Sequence, residues 1–185
     1  MDQQVIYVIV MVIFLFEGGF MSSSWANLKN KVKMTAFLRL YAFAKIPLLS
    51  AIRPTLLEVS DQRVVLKVPL TRFTKNHMGV MYFGALSMGA EAAVAIKAVH
   101  AIQKNPQKID FIFKDFKANF IKRADGNVHF ICEQGEAVLA LVEKAAKSGV
   151  RENQTFHSYA IVPSKDPNLK IAEFEITLSL KRRKL

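Results

Sequence analysis

A stretch near the middle of the chain, residues 85–102, is apolar on almost every face that a helix would present. Only Ser87, Glu91, Lys97 and His100 interrupt it. A helix that is apolar all round belongs either in a membrane or in a protein core. Because Glu91 and Lys97 lie inside the run, and each costs a few kcal/mol at the centre of a bilayer, the sequence predicts a buried core helix.

The pattern around this helix predicts a helix at the amino-terminal side and strands on both sides. Residues 28–52 have helical apolar spacing that stops or kinks near Pro47. Residues 56–70 alternate, which fits either a strand pair with a turn at Asp61-Gln62 or one long bent strand. Strand patterns follow at residues 109–123, 127–134, 153–163 and 170–180, and Asp125-Gly126-Asn127 predicts a hairpin turn after the first of them. Residues 136–148 fit either a helix or a strand followed by a loop. One core helix against about five or six antiparallel strands is an α+β arrangement.

Composition bounds the class of protein. With 185 residues, 51% of them hydrophobic and 22% charged, the chain fits one globular domain and excludes disorder and collagen-like repeats. Its single cysteine, Cys132, excludes an internal disulfide and a cysteine-based zinc site, and favours a cytoplasmic location. His100, His129 and His157 show no metal-ligand spacing, so no metal is expected. The 26 basic residues against 15 acidic ones give a net charge of +11, which attracts phosphates or anionic lipid.

The amino terminus carries an apolar run at residues 5–16. It is shorter than the roughly 20 residues that span a bilayer, and it lacks the preceding positive charge of a secretory signal. We therefore interpret residues 1–20 either as a dispensable apolar leader or as the product of a misassigned start, with Met21 as the working initiator. The predicted domain covers residues 21–185.

An acidic residue on a buried helix needs a partner or a chemical role, because an unpaired buried carboxylate is costly. Glu91 could pair with Lys97 or with an arginine at a dimer interface, or it could lie on an exposed edge. The loop before the helix reads Asn76-x-x-Gly79-x-x-Tyr82-Phe83-Gly84. Asn76 and Gly79 are also ordinary turn residues.

This loop, together with Glu91, resembles the Asn-x-x-Gly-x-x-His-Gly-Gly and helix-acid signature of hotdog-fold acyl-CoA thioesterases of the PaaI type. The spacing matches without a gap, and the resemblance covers residues 54–180. It implies a hotdog fold, an antiparallel sheet wrapped around one long central helix. Tyr82 stands in place of the histidine, Phe83 in place of the first glycine, and Glu91 in place of the aspartate common in PaaI-type enzymes.

The resemblance also implies a mechanism and site residues. Glu91 would activate water or attack the thioester, the Gly84 N–H would stabilise the oxyanion, and Asn76 and Tyr82 would orient the reacting groups. Gly79, Phe83 and Arg123 are the predicted substrate-binding residues, and coenzyme A enters as part of the substrate, with no separate cofactor. The resemblance implies a homodimer, with Asn76 and Glu91 from opposite subunits, and leaves a tetramer open.

Two other functions stay open on the sequence. A non-catalytic hotdog module that binds acyl chains or acyl-CoA fits the Tyr82 and Phe83 substitutions, and residues 28–52 could hold it at a membrane surface. The charge also permits nucleic-acid binding, but no Arg-aromatic motif or reader fold supports it, so nucleic acid ranks last. The basic cluster at residues 181–184 is interpreted as a solvated tail.

Overall fold

The elements of the fold follow the predicted order closely. The computed structural model describes residues 23–183, so the interpretation of residues 1–20 falls outside the described part of the chain. In chain order the elements are helices α1 (Ser23–Lys45) and α2 (Pro47–Ala51), strands β1 (Thr55–Val59) and β2 (Val64–Val68), helix α3 (Phe83–Lys104), strands β3 (Ile109–Phe120) and β4 (Val128–Cys132), helix α4 (Gly135–Ser148), and strands β5 (Arg151–Val162) and β6 (Asp166–Arg182).

The predicted amino-terminal helix is two helices. The backbone of Ile46 leaves the helical region, with φ −139° and ψ 73°, and Pro47 begins α2. A residue that precedes proline is sterically disfavoured in the α conformation, whereas proline itself suits the first helical position because no N–H is needed there. The break therefore falls where Pro47 predicted it.

The six strands form one antiparallel sheet in the order β1-β2-β4-β5-β6-β3. Helix α3 packs against β2, β4, β5 and β6, and α4 packs against α3, β5 and β6. A single hydrophobic cluster includes side chains from α1 through β6. The predicted sheet of five or six strands around a central helix is confirmed.

Helix α3 is the core helix that its apolar pattern predicted. By length and composition it could cross a membrane, but 67% of its most apolar window is buried inside the protein. Helix α4 settles the alternatives left open for residues 136–148. Its buried residues Val138, Leu141, Val142 and Ala145 recur at three- and four-residue spacing, as on one face of a helix.

The hairpin predicted at Asp125-Gly126-Asn127 is wrong. Strand β3 pairs with β6 at the edge of the sheet, whereas β4 lies between β2 and β5. The chain between β3 and β4 crosses from the edge to the centre, held where the N–H groups of Ile121 and Lys122 donate to the Ile171 carbonyl. Pairing along the full length of β3 outweighs the local turn preference of an Asp-Gly pair.

Candidate active site

The loop before α3 is shaped by Asn76 and Gly79. The Asn76 side-chain oxygen accepts the Met78 N–H at 2.9 Å, and the Gly79 N–H donates to the Asn76 carbonyl at 3.0 Å. Gly79 has φ +77°, in the left-handed region that other residues rarely adopt. Both residues therefore serve the turn, which is the role the sequence offered beside the catalytic one.

Tyr82 and Phe83 form an exposed aromatic pair at the start of α3. Their ring centroids are 4.7 Å apart, and the side chains are 48% and 59% exposed. The Tyr82 ring folds over the first turn of the helix, so that a Cβ placed on Gly84 would lie 2.5 Å from Tyr82 Cε1. Gly84 is thus the residue type that lets this ring lie against the helix backbone.

The N-terminus of α3 is electrostatically positive. No side chain caps it, and its first turn has no acidic residue. The free N–H groups of a helix start and the helix dipole both favour negative charge at this end. The motif ends at Gly84, directly before the predicted core helix, and in the structure α3 begins at Phe83, so that Phe83 and Gly84 lie in its first turn.

A groove of about 340 Å³ lies beside this helix start. Four of the predicted site residues line it together: Asn76, Tyr82, Phe83 and Arg123. Gly79, Gly84 and Glu91 are not among its lining residues. The remaining lining residues are His77, Val80, Met81, Leu86, Phe120, Lys122 and Ala124.

Glu91 lies on the more open face of α3. Gly84, Ser87, Met88 and Glu91 are less buried than the residues between them, and they recur at three- and four-residue spacing. Burial raises the pKa of the Glu91 carboxyl, and no charge or hydrogen bond contributes to that shift. Within residues 23–183 the carboxylate is therefore half-buried without an ion-pair partner.

Lys97 is not the ion-pair partner of Glu91. Its ammonium group donates to the Ser60 carbonyl at 2.6 Å and to the Asp61 carbonyl at 2.8 Å, and lies 3.5 Å from the Asp61 carboxylate. The pairing of Glu91 with Lys97 that the sequence left open is contradicted within the chain. Lys97 instead fixes the turn between β1 and β2 to the core helix.

A second groove of about 330 Å³ shares Lys122 and Arg123 with the first. It adds Lys165, which pairs with Asp125 at 3.1 Å, and Asp166. The shared cations lie in the crossover between β3 and β4, at the junction of the two grooves.

Sequence reasoning missed several groove residues. His77 occupies a position that the Asn-x-x-Gly motif does not specify, and Phe120 and Lys122 reach the groove at the end of β3 and in the crossover. The neighbouring Arg123 was the one local signal for that segment.

Within residues 23–183, no three His, Cys, Asp or Glu side chains are grouped as metal ligands.

Comparison with solved structures defines the class of protein. A protein of unknown function from Chlorobaculum tepidum has a TM-score of 0.69 at 11% identity, covering 83% of this chain and 97% of its own. A protein from Shewanella oneidensis, provisionally named a thioesterase, has a TM-score of 0.67 at 12% identity, with coverages of 81% and 99%. A thioesterase from Haemophilus influenzae has a TM-score of 0.55 at 14% identity, with coverages of 77% and 88%. The chain has the hotdog fold, which it shares with proteins named thioesterases.

Comparison of the sequence with known protein families identifies the family of this chain. DUF4442, described as a domain of unknown function, matches residues 34–171, and the chain belongs to this family. No curated protein matches the sequence.

Proposed function

We propose that the protein hydrolyses acyl-CoA thioesters at the N-terminal end of α3. The observation that carries this proposal is the half-buried, unpaired Glu91 carboxylate on the same helix face as Gly84, two turns from an uncapped helix start. In the reaction a water oxygen bonds to the thioester carbonyl carbon. The C–S bond then breaks, and the water's proton leaves with the coenzyme A thiolate to give a free thiol and a carboxylic acid.

The spacing along the helix suits these roles. Seven residues separate Gly84 from Glu91, a rise of about 10 Å, and place both on nearly the same face. Helical side chains tilt toward the N-terminus, so a glutamate reaches back along this face. The raised pKa of Glu91 suits a group that takes up a proton during the reaction.

The groove supplies binding groups. Phe83 and the apolar lining support an acyl chain, while Tyr82 and Asn76 supply polar atoms near the helix start. We assign the phosphates of coenzyme A to the shared cations Lys122 and Arg123, because charge-assisted hydrogen bonds to phosphate are strong. Gly79 contributes by shaping the loop.

We also propose a homodimer. Strand β3 is at the edge of the sheet, and Ile112, Phe116 and Phe120 on it are 53%, 42% and 47% exposed. A long apolar edge strand invites pairing with another strand. A second copy across this edge would lie beside the groove, since Phe120 lines it.

The test is free-thiol release from a panel of short, medium, long and aromatic acyl-CoAs. Glu91→Gln keeps the shape of the side chain and removes its basicity, so we expect turnover to fall by at least about a hundredfold. Glu143→Gln, at an exposed position on α4, is the matched control and keeps full turnover. Equal turnover by all three proteins would remove Glu91 from the site.

A second candidate is a non-catalytic module that binds acyl-CoA. It is favoured by the Tyr82 ring, which lies over Gly84 where an oxyanion would need access. In that case acyl-CoA raises the melting temperature of the protein while no thiol appears over hours.

A further inference from the structure

Helix α1 has two apolar faces. Its inner face packs on the domain through Phe37, Leu38 and Ala42, which are 8%, 3% and 0% exposed. On the opposite side Val32, Leu40 and Phe43 fall within an arc of about 80° and point to solvent. A surface helix that only covers its own core carries polar residues on this outer side.

The exposed residues continue onto α2. Phe43 and Leu48 are 72% and 68% exposed, and Ile46 between them is 38% exposed. We call Val32, Leu40, Phe43, Ile46 and Leu48 the outer stripe.

The outer stripe is held on a fixed platform. Arg39 Nε donates to the Pro54 carbonyl at 3.0 Å, and Thr35 Oγ1 accepts the Leu56 N–H at 3.1 Å. Leu49 of α2 is buried in the core. Turning the outer stripe inward would expose the inner face, so within residues 23–183 these apolar side chains are held on the outer side of the helix.

The charge around the outer stripe has one sign. Between residues 18 and 57 the chain has no Asp or Glu, and its six basic residues are Lys29, Lys31, Lys33, Arg39, Lys45 and Arg53. On the helix Lys33 lies about 20° from Leu40 and Arg39 about 20° from Val32, so both border the outer stripe, and Arg39 is exposed. Two copies meeting through this surface would bring like charges together, which is costly. An anionic bilayer offers both the opposite charge and an apolar interior.

We propose that the outer stripe docks the protein on the surface of an anionic lipid bilayer, with α1 lying in the plane of the interface. Exposed apolar side chains enter the acyl boundary, and the surrounding Lys and Arg side chains contact the headgroups. This inference does not depend on the proposed activity.

The experiment is co-sedimentation of the full chain with vesicles of phosphatidylcholine alone or with about one third phosphatidylserine. We expect binding to the anionic vesicles that weakens as salt rises, because salt screens the headgroup attraction.

The F43S/L48S double variant should lower the partition coefficient at least about tenfold, since both positions lose most of the apolar area that would be buried in the bilayer. Phe73→Ser removes an 80% exposed phenylalanine elsewhere and is the matched control, expected to bind within about twofold of the parent. A second variant, Lys33→Glu, reverses a charge about 20° from Leu40 on the helix, keeps the apolar side chains and should weaken binding to the anionic vesicles only, at least about fivefold. Circular dichroism melts report whether each variant folds.

Absence of binding to anionic vesicles at low salt would overturn the proposal, as would F43S/L48S or Lys33→Glu binding like the parent. If the parent instead sediments as a dimer that F43S/L48S converts to a monomer, and neither binds vesicles, a second copy covers the stripe and the proposal is wrong.

Discussion

Alanine substitutions at two glycines of α3 test how closely this helix packs against the sheet. A Cβ added at Gly89 would lie 2.3 Å from Phe130 Cε2, and one added at Gly84 would lie 2.5 Å from Tyr82 Cε1. The clashes are nearly equal, but Phe130 is fully buried and Tyr82 is 48% exposed. Surrounding core side chains prevent the Phe130 ring from moving away, whereas the Tyr82 ring can rotate into solvent.

Gly89→Ala should therefore destabilise the protein. Alanine gains about 1 kcal/mol over glycine in a helix, but forcing the Phe130 ring back by about 1 Å costs about 3 kcal/mol, at the upper end of overpacking. The net loss of about 2 kcal/mol lowers the melting temperature by about 4–8 °C. For Gly84→Ala, the same gain offsets a lost Tyr82–Phe83 ring contact of about 1 kcal/mol, so stability stays within about 0.5 kcal/mol of the parent.

Urea denaturation followed by circular dichroism measures both variants against the parent. A Gly89→Ala protein as stable as the parent, or equal losses at Gly84 and Gly89, would refute the packing of α3 on β4. As a further check, Phe130→Leu should relieve the cost of Gly89→Ala, since the two positions share one contact.

Three further predictions concern buried polar groups. Because burial raises the pKa of Glu91, the folded protein keeps a proton there that the unfolded chain releases, and this lowers stability as pH rises through the raised value. Glu91→Gln should thus raise the urea midpoint at about pH 8 and lose that advantage below about pH 4, and a midpoint lowered at about pH 8 would contradict this. Lys97→Met leaves the Ser60 and Asp61 carbonyls without their donor and should cost about 2 kcal/mol in the same urea assay; an unchanged midpoint would mean that these bonds contribute nothing. Burial raises the pKa of the Cys132 thiol, so a thiol reagent should label it only on unfolding, and rapid labelling of the native protein would place it at the surface.

Much of the fold could be predicted from local pattern. The all-round apolar run predicted α3, alternation predicted the strands, and Pro47 marked the break between α1 and α2. The predicted pairing of β3 with the strand that follows it was wrong. Asp125-Gly126 has hairpin chemistry, but the pairing of β3 with β6 is a contact between residues far apart in the chain, and no local signal encodes it.

The candidate site likewise has some features that the local sequence predicts and others that depend on tertiary packing. The motif placed Tyr82, Phe83 and Gly84 directly before the core helix, because loop glycines and the beginning of an apolar run are local features. The position of Phe120 and Lys122 at the groove depends on packing between segments that are distant in the chain. Sequence spacing alone carries no information about either.

The most direct test of the proposed activity is to mix the full chain with an equal concentration of each acyl-CoA and follow the intact thioester by mass spectrometry. The proposal predicts that at least one thioester is converted to free acid and coenzyme A by the parent and persists with Glu91→Gln, in proteins that are shown to be folded. A thioester that stays intact on the parent protein while raising its melting temperature would contradict hydrolysis and identify the protein as an acyl-CoA binding module.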